Sequence, residues 1–443
     1  MPGHVLAGIN LLDTATHTWD LATAGAVGCE MADDRGVTDE LPLHSPLAYA
    51  AGFPHERFAR LREEDPVSYH EHPVWERGYW VVSRHEDVQR VSRDSAAFKN
   101  SPHPFVEEAA SGDSSGMSEL LISFDPPEHS KLRRLISSGF TPRRVNDLAV
   151  KIRDRVDAII DSLAEQGSCD LVTDLAVWLP LHVIADLVGV PEEDRAQVFE
   201  WTEITFGFDP EVPQEARGEA AMAMYAYADA ICQERQDDPR DDLMSVLLHA
   251  EIDGEQLTQL QVDLFFLLLQ NAGSETTRNL ITTGTMALIQ NPDQLALVQS
   301  DLSVLPTAIE EMLRFASPVI QFVRRAEEDT EVAGQAIAKD DRLAIFYPSA
   351  NRDHRVFDEP DRLDVTRDPN DHVAFGAGGP HHCLGANLAR LEGRVMFESI
   401  LGRFEGLELA ADPADLTRVH SNLIDGFTEV PITWQRVKER VGA

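Results

Sequence analysis

Apolar positions recur at helical spacing along most of the chain, and short apolar runs mark a few strands. Phe58 and Leu61, set between charges, predict a short helix over residues 54–64. Tyr79-Trp80-Val81-Val82 predicts a strand, and Ser83 ahead of His85-Glu86-Asp87-Val88 predicts a capped helix start. Asp125-Pro126-Pro127-Glu128 predicts another. It leads into a segment where His129 and Arg133, four apart, share one helix face. Residues 145–250 read as a series of amphipathic helices, broken at Phe206-Gly207-Phe208-Asp209-Pro210. Met222, Met224, Tyr225 and Tyr227 in that series fit either a pocket for an apolar ligand or plain helix packing. Residues 257–290 predict one helix of about 50 Å, long enough to cross a domain. A further helix is predicted over residues 305–315. Strands are predicted at 319–323, 331–332 and 343–346, with a hairpin turn at Val332-Ala333-Gly334-Gln335. Residues 99–116 read as a long loop, of the kind that forms lids or binding loops. The pattern predicts a mainly α fold with a small β region, in one large domain over residues 41–443. Residues 1–40 show no clear period and read as an extension.

Two interruptions of this pattern carry candidate chemistry. The first is Ala272-Gly273-Ser274-Glu275-Thr276-Thr277, in the middle of the long helix. Glycine there costs up to about 1 kcal/mol of helix stability. Small residues at that point fit a ligand or cofactor pressing on the helix, or a second helix crossing closely. Glu275 and Thr276 put an acid and an alcohol beside the gap, a possible proton route. The second interruption is Phe375-Gly376-Ala377-Gly378-Gly379-Pro380-His381-His382-Cys383-Leu384-Gly385, just before a helical segment. Glycine at that density allows unusual dihedrals and the close approach of something flat. A cysteine at a helix start lies in the positive end of the dipole, which favours the thiolate. That combination suits an axial sulfur ligand to a haem iron. A phosphate cradle and a zinc cluster are the competing readings. The first lacks the Lys-Ser/Thr ending of a phosphate loop, and the second lacks a second cysteine pair. Glu311 and Arg314, three apart on a predicted helix, can pair on one face.

Composition narrows the function classes. The chain has 443 residues, 43% of them hydrophobic, enough for a large core. Its 76 acidic residues against 38 basic ones give a formal net charge of −38, which argues against nucleic acid or an anionic membrane as a bulk-surface partner. Cys29, Cys169, Cys232 and Cys383 are widely spaced and read as free thiols of a reducing compartment. No apolar run reaches the roughly 18 residues of a membrane span, and the N-terminus lacks the order of a signal peptide. The expectation is a cytoplasmic protein.

With these residues in view, the chain resembles the bacterial cytochrome P450 monooxygenases over residues 50–434. Four signatures stand in that family's order: Ala272-Gly273-x-Glu275-Thr276, Glu311-x-x-Arg314, Pro360-Asp361-Arg362-Leu363, and the glycine loop ending in Cys383-Leu384-Gly385. Each is weak alone; all four in order are specific. The resemblance implies haem b with Cys383 as proximal thiolate, whose electron donation favours O–O cleavage, and O2 as co-substrate. It implies that Glu275 and Thr276 deliver protons, and that Ala272 and Gly273 lie against the cofactor. It assigns the haem carboxylates to His129, Arg133, Arg324 and His381. Phe375 would pack near the sulfur and tune the iron, Gly376 and Gly385 would also lie against the cofactor, and Glu311, Arg314 and Arg362 would form a structural triad. The loop between Phe375 and Cys383 is one residue longer than the usual spacing. That length, with Ser349-Ala350-Asn351-Arg352-Asp353 and Ile424-Asp425-Gly426, is similar to an actinobacterial branch that hydroxylates methyl-branched fatty acids and isoprenoids at chain ends, or steroid side chains. A secondary metabolite is the further alternative. The implied electron donors are a ferredoxin and ferredoxin reductase with NAD(P)H. Lys131, Arg133, Arg134, Arg143 and Arg144 would be the basic patch that receives them. A peroxygenase of the same fold and a non-catalytic haem sensor are the other classes; the Glu275-Thr276 pair argues against both.

Overall fold

One helix, Gln259–Gln290, runs through the middle of the molecule. It starts at a reciprocal cap: Thr258 Oγ1 accepts from the Gln261 N–H, and Gln261 Oε1 accepts from the Thr258 N–H. It ends at Asn291, where Pro292 opens the helix Pro292–Ser300. It is apolar around most of its circumference, as a helix enclosed by others must be. Trp178–Val188, Gln214–Asp237, Leu305–Ala316 and Ala386–Arg403 pack against it. Their inward residues form the largest core cluster, with Leu280, Ile309, Met312 and Phe397 among its fully buried members.

The β region lies to one side. Five strands run in the order Val67–His70, Tyr79–Val82, Arg342–Phe346, Gln321–Ala326 and Phe98–Lys99. All neighbours are antiparallel except Tyr79–Val82 with Arg342–Phe346, where Ala344 registers with Val81. The predicted hairpin forms: Val332 pairs with Gln335, with Ala333 and Gly334 at positive φ between them. The strand predicted over 319–323 sits two residues later, at Gln321–Ala326. The strands near the C-terminus, Phe404–Glu405, Glu408–Leu409, Pro431–Thr433 and Arg436–Val437, had no sequence signal.

This computed structural model describes residues 41–106, 117–137, 140, 142–206, 212–252 and 254–438. The expected extension, residues 107–116 of the expected loop and residues 207–210 of the expected helix break lie outside the described residues. One open reading resolves and one expectation changes. Met224 and Tyr227 are packing residues. Met224 is fully buried, and the Tyr227 ring lies between Trp201 and Phe266 with its hydroxyl donating to Asp194 at 2.8 Å. Leu171–Val188 is long and apolar enough to cross a membrane by length and composition, although no such run was expected. Two thirds of it is buried within the fold, where it packs on the central helix.

Candidate active site

Cys383 ends the glycine loop, and Gly385 caps the helix Ala386–Arg403. The Cys383 N–H donates to the Phe375 carbonyl at 2.8 Å, which folds the loop back on itself. Gly378 and Gly379 turn the loop. Both have positive φ, and a Cβ on Gly379 would meet the Ser92 carbonyl at 2.4 Å. Arg93 Nε donates to the Ala377 carbonyl at 2.9 Å and Ser92 Oγ to the Gly378 carbonyl at 3.0 Å, so the loop is fastened to the end of the helix His85–Arg93. Gly376 also has positive φ, a conformation that favours glycine.

The Cys383 side chain is exposed at its own surface, yet protein surrounds the sulfur at longer range. That burial pushes the thiol up, against a hydrogen bond from the Gly385 backbone and the charges of Arg133 and Arg390. The expected drop from the helix dipole is therefore outweighed. A bound metal would have to displace the proton.

Phe375 is held by a charged clamp absent from the sequence expectation. The Arg390 guanidinium lies 4.4 Å from its ring centroid. Arg390 donates to Glu310 at 2.6 and 2.7 Å, and His372 shares that carboxylate at 3.0 Å. Burial raises the Glu310 pKa, but Arg390 and His372 outweigh it and bring it from 4.5 down to about 2. With a depressed native pKa, this carboxylate stabilises the fold fully above pH 4.5, and the contribution is lost as pH falls through about 2. Urea unfolding at pH 5 and pH 3 is expected to show a smaller acid loss of stability in Glu310→Gln than in the parent.

A cluster of two arginines and two histidines gathers beside the loop. The His129 and His381 rings lie 4.0 Å apart, and Arg133 Nη2 donates to the His382 carbonyl. Arg324 is buried, donates to the Val323 carbonyl and bonds Tyr347. Burial pushes His381 down to about 2, with Arg324, His129 and Arg133 adding to it. Burial and Arg133 push His129 down to about 4. Asp125 is the acid that acts on His129, and it already accepts from the Asn100 and Ser101 N–H groups. His129 Nδ1 and His381 Nε2 are buried without a partner. Two guanidiniums and two buried imidazole nitrogens with spare capacity fit the carboxylates of a haem.

On the central helix, Ala272 is exposed and Thr276 half-buried, while Ser274, Glu275 and residues 277–282 are buried. Thr276 Oγ1 donates to the Ala272 carbonyl at 3.0 Å, so these two residues form one open face of the helix. Gly273 takes the second of the two readings left open for it, a close helix crossing. A Cβ there would meet Ile184 Cδ1 at 2.4 Å, so the glycine admits the crossing helix Trp178–Val188. Glu275 is buried off the open face and pairs with Arg278. Burial raises its pKa to about 7, with Arg278 opposing and Glu203 assisting. Glu392, on the helix after Cys383, is buried and hydrogen-bonded to Thr277. Burial raises its pKa to about 8.

The structural triad forms with one substitution. Arg314 donates to both oxygens of Glu311 at 2.7 and 2.8 Å. The third member is Arg367, whose Nε donates to Glu311 at 3.1 Å. Arg362 turns outward to Glu359 and offers the cluster only its carbonyl, to Arg314 at 3.2 Å. The two residues lie five apart in an irregular stretch, where no periodicity tells which side chain points inward. Ser349-Ala350-Asn351-Arg352-Asp353 is likewise a tie. Asn351 accepts from the Val373 N–H and donates to Ser317, and Asp353 accepts from the His85 N–H. The segment Ile424-Asp425-Gly426 lies beside Val319 and against Asn279 of the central helix.

Residues 181–416 match the Cytochrome P450 family. The chain is 39% identical to a steroid C26-monooxygenase of Rhodococcus jostii, over 88% of this chain and 84% of that one. It is 37% identical to a methyl-branched lipid omega-hydroxylase of Mycobacterium tuberculosis, over 85% of this chain and 90% of that one. Among solved structures, a Mycobacterium marinum cytochrome P450 in complex with pseudoionone aligns with a TM-score of 0.81 at 33% identity, covering 93% of this chain and 100% of that chain. The chain belongs to the cytochrome P450 family, the haem b monooxygenases that take O2 as co-substrate.

Proposed function

We propose that this monooxygenase hydroxylates the terminal carbon of a methyl-branched alkyl chain, carried on a fatty acid or isoprenoid or on a steroid. One observation carries the substrate reading. Relatives at similar identity are named for steroid carbon 26 and for the omega carbon of methyl-branched lipids, and both are ends of branched alkyl chains. In this reading Cys383 is the proximal thiolate, and His129, Arg133, Arg324 and His381 hold the haem carboxylates. Bound haem supplies the dioxygen activation and C–H oxidation. The chain's own residues exclude water, orient the alkyl end over the open face at Ala272 and Thr276, and hold the protons. Two electrons and two protons accompany each O2, giving one alcohol and one water. The Thr276 hydroxyl on that face and the Glu275 carboxyl buried beside it are the proton-bearing groups. The electrons come from a ferredoxin and its reductase with NAD(P)H in the cytoplasm. Lys131 and Arg134 share the helix of Arg133, which bonds the carbonyl next to Cys383; this supports an acidic partner docking on the cysteine side. The side chains of Arg143 and Arg144 lie outside the described residues.

The test is an absorption titration of the haem-loaded protein with a methyl-branched fatty acid, a sterol with its full side chain, and a steroid lacking one. A low-spin to high-spin change with either of the first two and none with the third is expected. The product should be a terminal alcohol whose formation depends on added ferredoxin and reductase. A response to the ring steroid alone would overturn the substrate reading.

A further inference from the structure

Arg390 is bonded on one side and stacked on the other. Its Nε and Nη2 donate to the two oxygens of Glu310, and its guanidinium lies over the Phe375 ring. His372 completes the Glu310 carboxylate. Its Nδ1 accepts from the Ala374 N–H at 3.2 Å, so the ring proton is on Nε2 and is donated to Glu310. His372 therefore adds no charge, and the clamp sets one cation against one anion. Phe375 connects the clamp to the cysteine, because its carbonyl accepts the Cys383 N–H. Among the described residues, Arg133 and Arg390 are the cations that act on the Cys383 sulfur. Arg133 donates to the His382 carbonyl, a neutral group. Arg390 donates to a carboxylate of another helix, Leu305–Ala316. That carboxylate, with its pKa of about 2, stays ionised through the neutral range.

We propose that Glu310 and Arg390 are positioning residues that set the reduction potential of the bound iron, acting through Phe375 and the Cys383 sulfur. A cation near the sulfur weakens its electron donation and favours the form that carries one electron more; an anion does the reverse. Arg390 contacts the Phe375 ring, and Glu310 cancels part of its charge. The pair thus holds the potential between two extremes, one with the guanidinium alone and one with the carboxylate alone. The Glu310 and Arg390 side chains are 28% and 36% exposed, so solvent screens the pair without erasing it. Removing either partner uncovers the charge of the other, and the two removals move the potential in opposite directions. The stacked guanidinium also fixes the tilt of the ring beside the loop. This inference rests on the reading of Cys383 as the proximal thiolate.

The test is a spectroelectrochemical titration of the haem-loaded full chain and four variants: Glu310→Gln, Arg390→Gln, Arg390→Lys and the double variant Glu310→Gln/Arg390→Gln. The C–O stretch of each ferrous carbonyl form is recorded beside it. Glu310→Gln is expected to raise the ferrous-to-ferric ratio at a fixed applied potential by roughly three- to tenfold, tenfold being about 59 mV for one electron. Arg390→Gln is expected to lower it by a similar factor. The double variant, and Arg390→Lys, which keeps the charge, should stay near the parent. The C–O frequency should rise in Glu310→Gln and fall in Arg390→Gln, as donation from the sulfur weakens and strengthens. A clamp that only holds the fold would shift both single variants the same way, through a loosened ring, or shift neither; either result overturns the proposal. Both side chains are half-buried, so neither single variant strands a deeply buried charge, and the double variant strands none. A parent whose ferrous carbonyl form lacks the thiolate band would instead overturn the reading of Cys383, and the proposal with it.

Discussion

Cys383→Ser is expected to lose the thiolate absorption signature and at least about 10³-fold in turnover, while still folding. Serine fits the same space, so the Cys383 N–H to Phe375 carbonyl bond and the loop survive. The alcohol does not ionise under conditions in which a thiol beside a metal does. The structure adds a second readout. Burial holds the Cys383 thiol above its ordinary pKa despite the Gly385 N–H, Arg133 and Arg390. Haem uptake should therefore release a proton from the parent and none from the variant. Calorimetry in buffers of different ionisation enthalpy measures that proton. The cluster of His129, Arg133, Arg324 and His381 is untouched, so weakened haem retention is expected, not its complete loss. A serine variant that kept the thiolate spectrum would mean that another residue holds the iron.

The second large effect is on stability. Arg314→Ala is expected to destabilise the fold by about 3–5 kcal/mol, because it removes the bidentate, fully buried partner of a carboxylate. Both partners are fully buried. Glu311 also accepts from Arg367, from Asn370 at 3.1 Å and from the Asp364 N–H at 2.9 Å. Arg314 in turn donates to the carbonyls of Asn351 and Pro360, both at 2.8 Å. Removing it therefore frees acceptors on two segments as well as the acid. The contrast between the other two arginines is the sharper check. Arg367→Ala should cost a good part of the same energy. Arg362→Ala removes an exposed pair worth roughly 0–1 kcal/mol. Denaturant unfolding of the three variants decides it. Equal losses for Arg362 and Arg367 would contradict the assignment of Arg367 as the inward side chain.

The sequence made the scaffold legible wherever one local rule acted alone. The central helix has a capping box, a long apolar run and a proline just past its end, and its predicted and observed limits differ by two residues at the start. The cysteine loop was legible because glycine density and a helix start coincide in so few residues. What the sequence hid depends on contacts far along the chain. Ile184 explains Gly273 from about ninety residues away. Glu310 reaches Arg390 across eighty positions to set the ring of Phe375. Arg362 and Arg367 differ only in which way an irregular backbone turns them. The sign of the Cys383 shift was hidden for a related reason: a helix dipole is local, but desolvation sums over everything packed nearby.

The fastening of the long loop bears on how such proteins can be recombined. Gly378 and Gly379 lie against Ser92 and Arg93, nearly three hundred positions earlier. Residues 375–385 are therefore not a transplantable cassette. Moved alone into a scaffold with the shorter spacing, the loop would arrive without its anchor. A side chain substituted at Gly379 in this chain would drive the backbone off Ser92 and carry the sulfur with it. Breakpoints that keep residues 85–93 and 375–385 from the same parent preserve the seat of the cysteine, and crossovers that separate them should yield folded chimaeras that take up haem poorly.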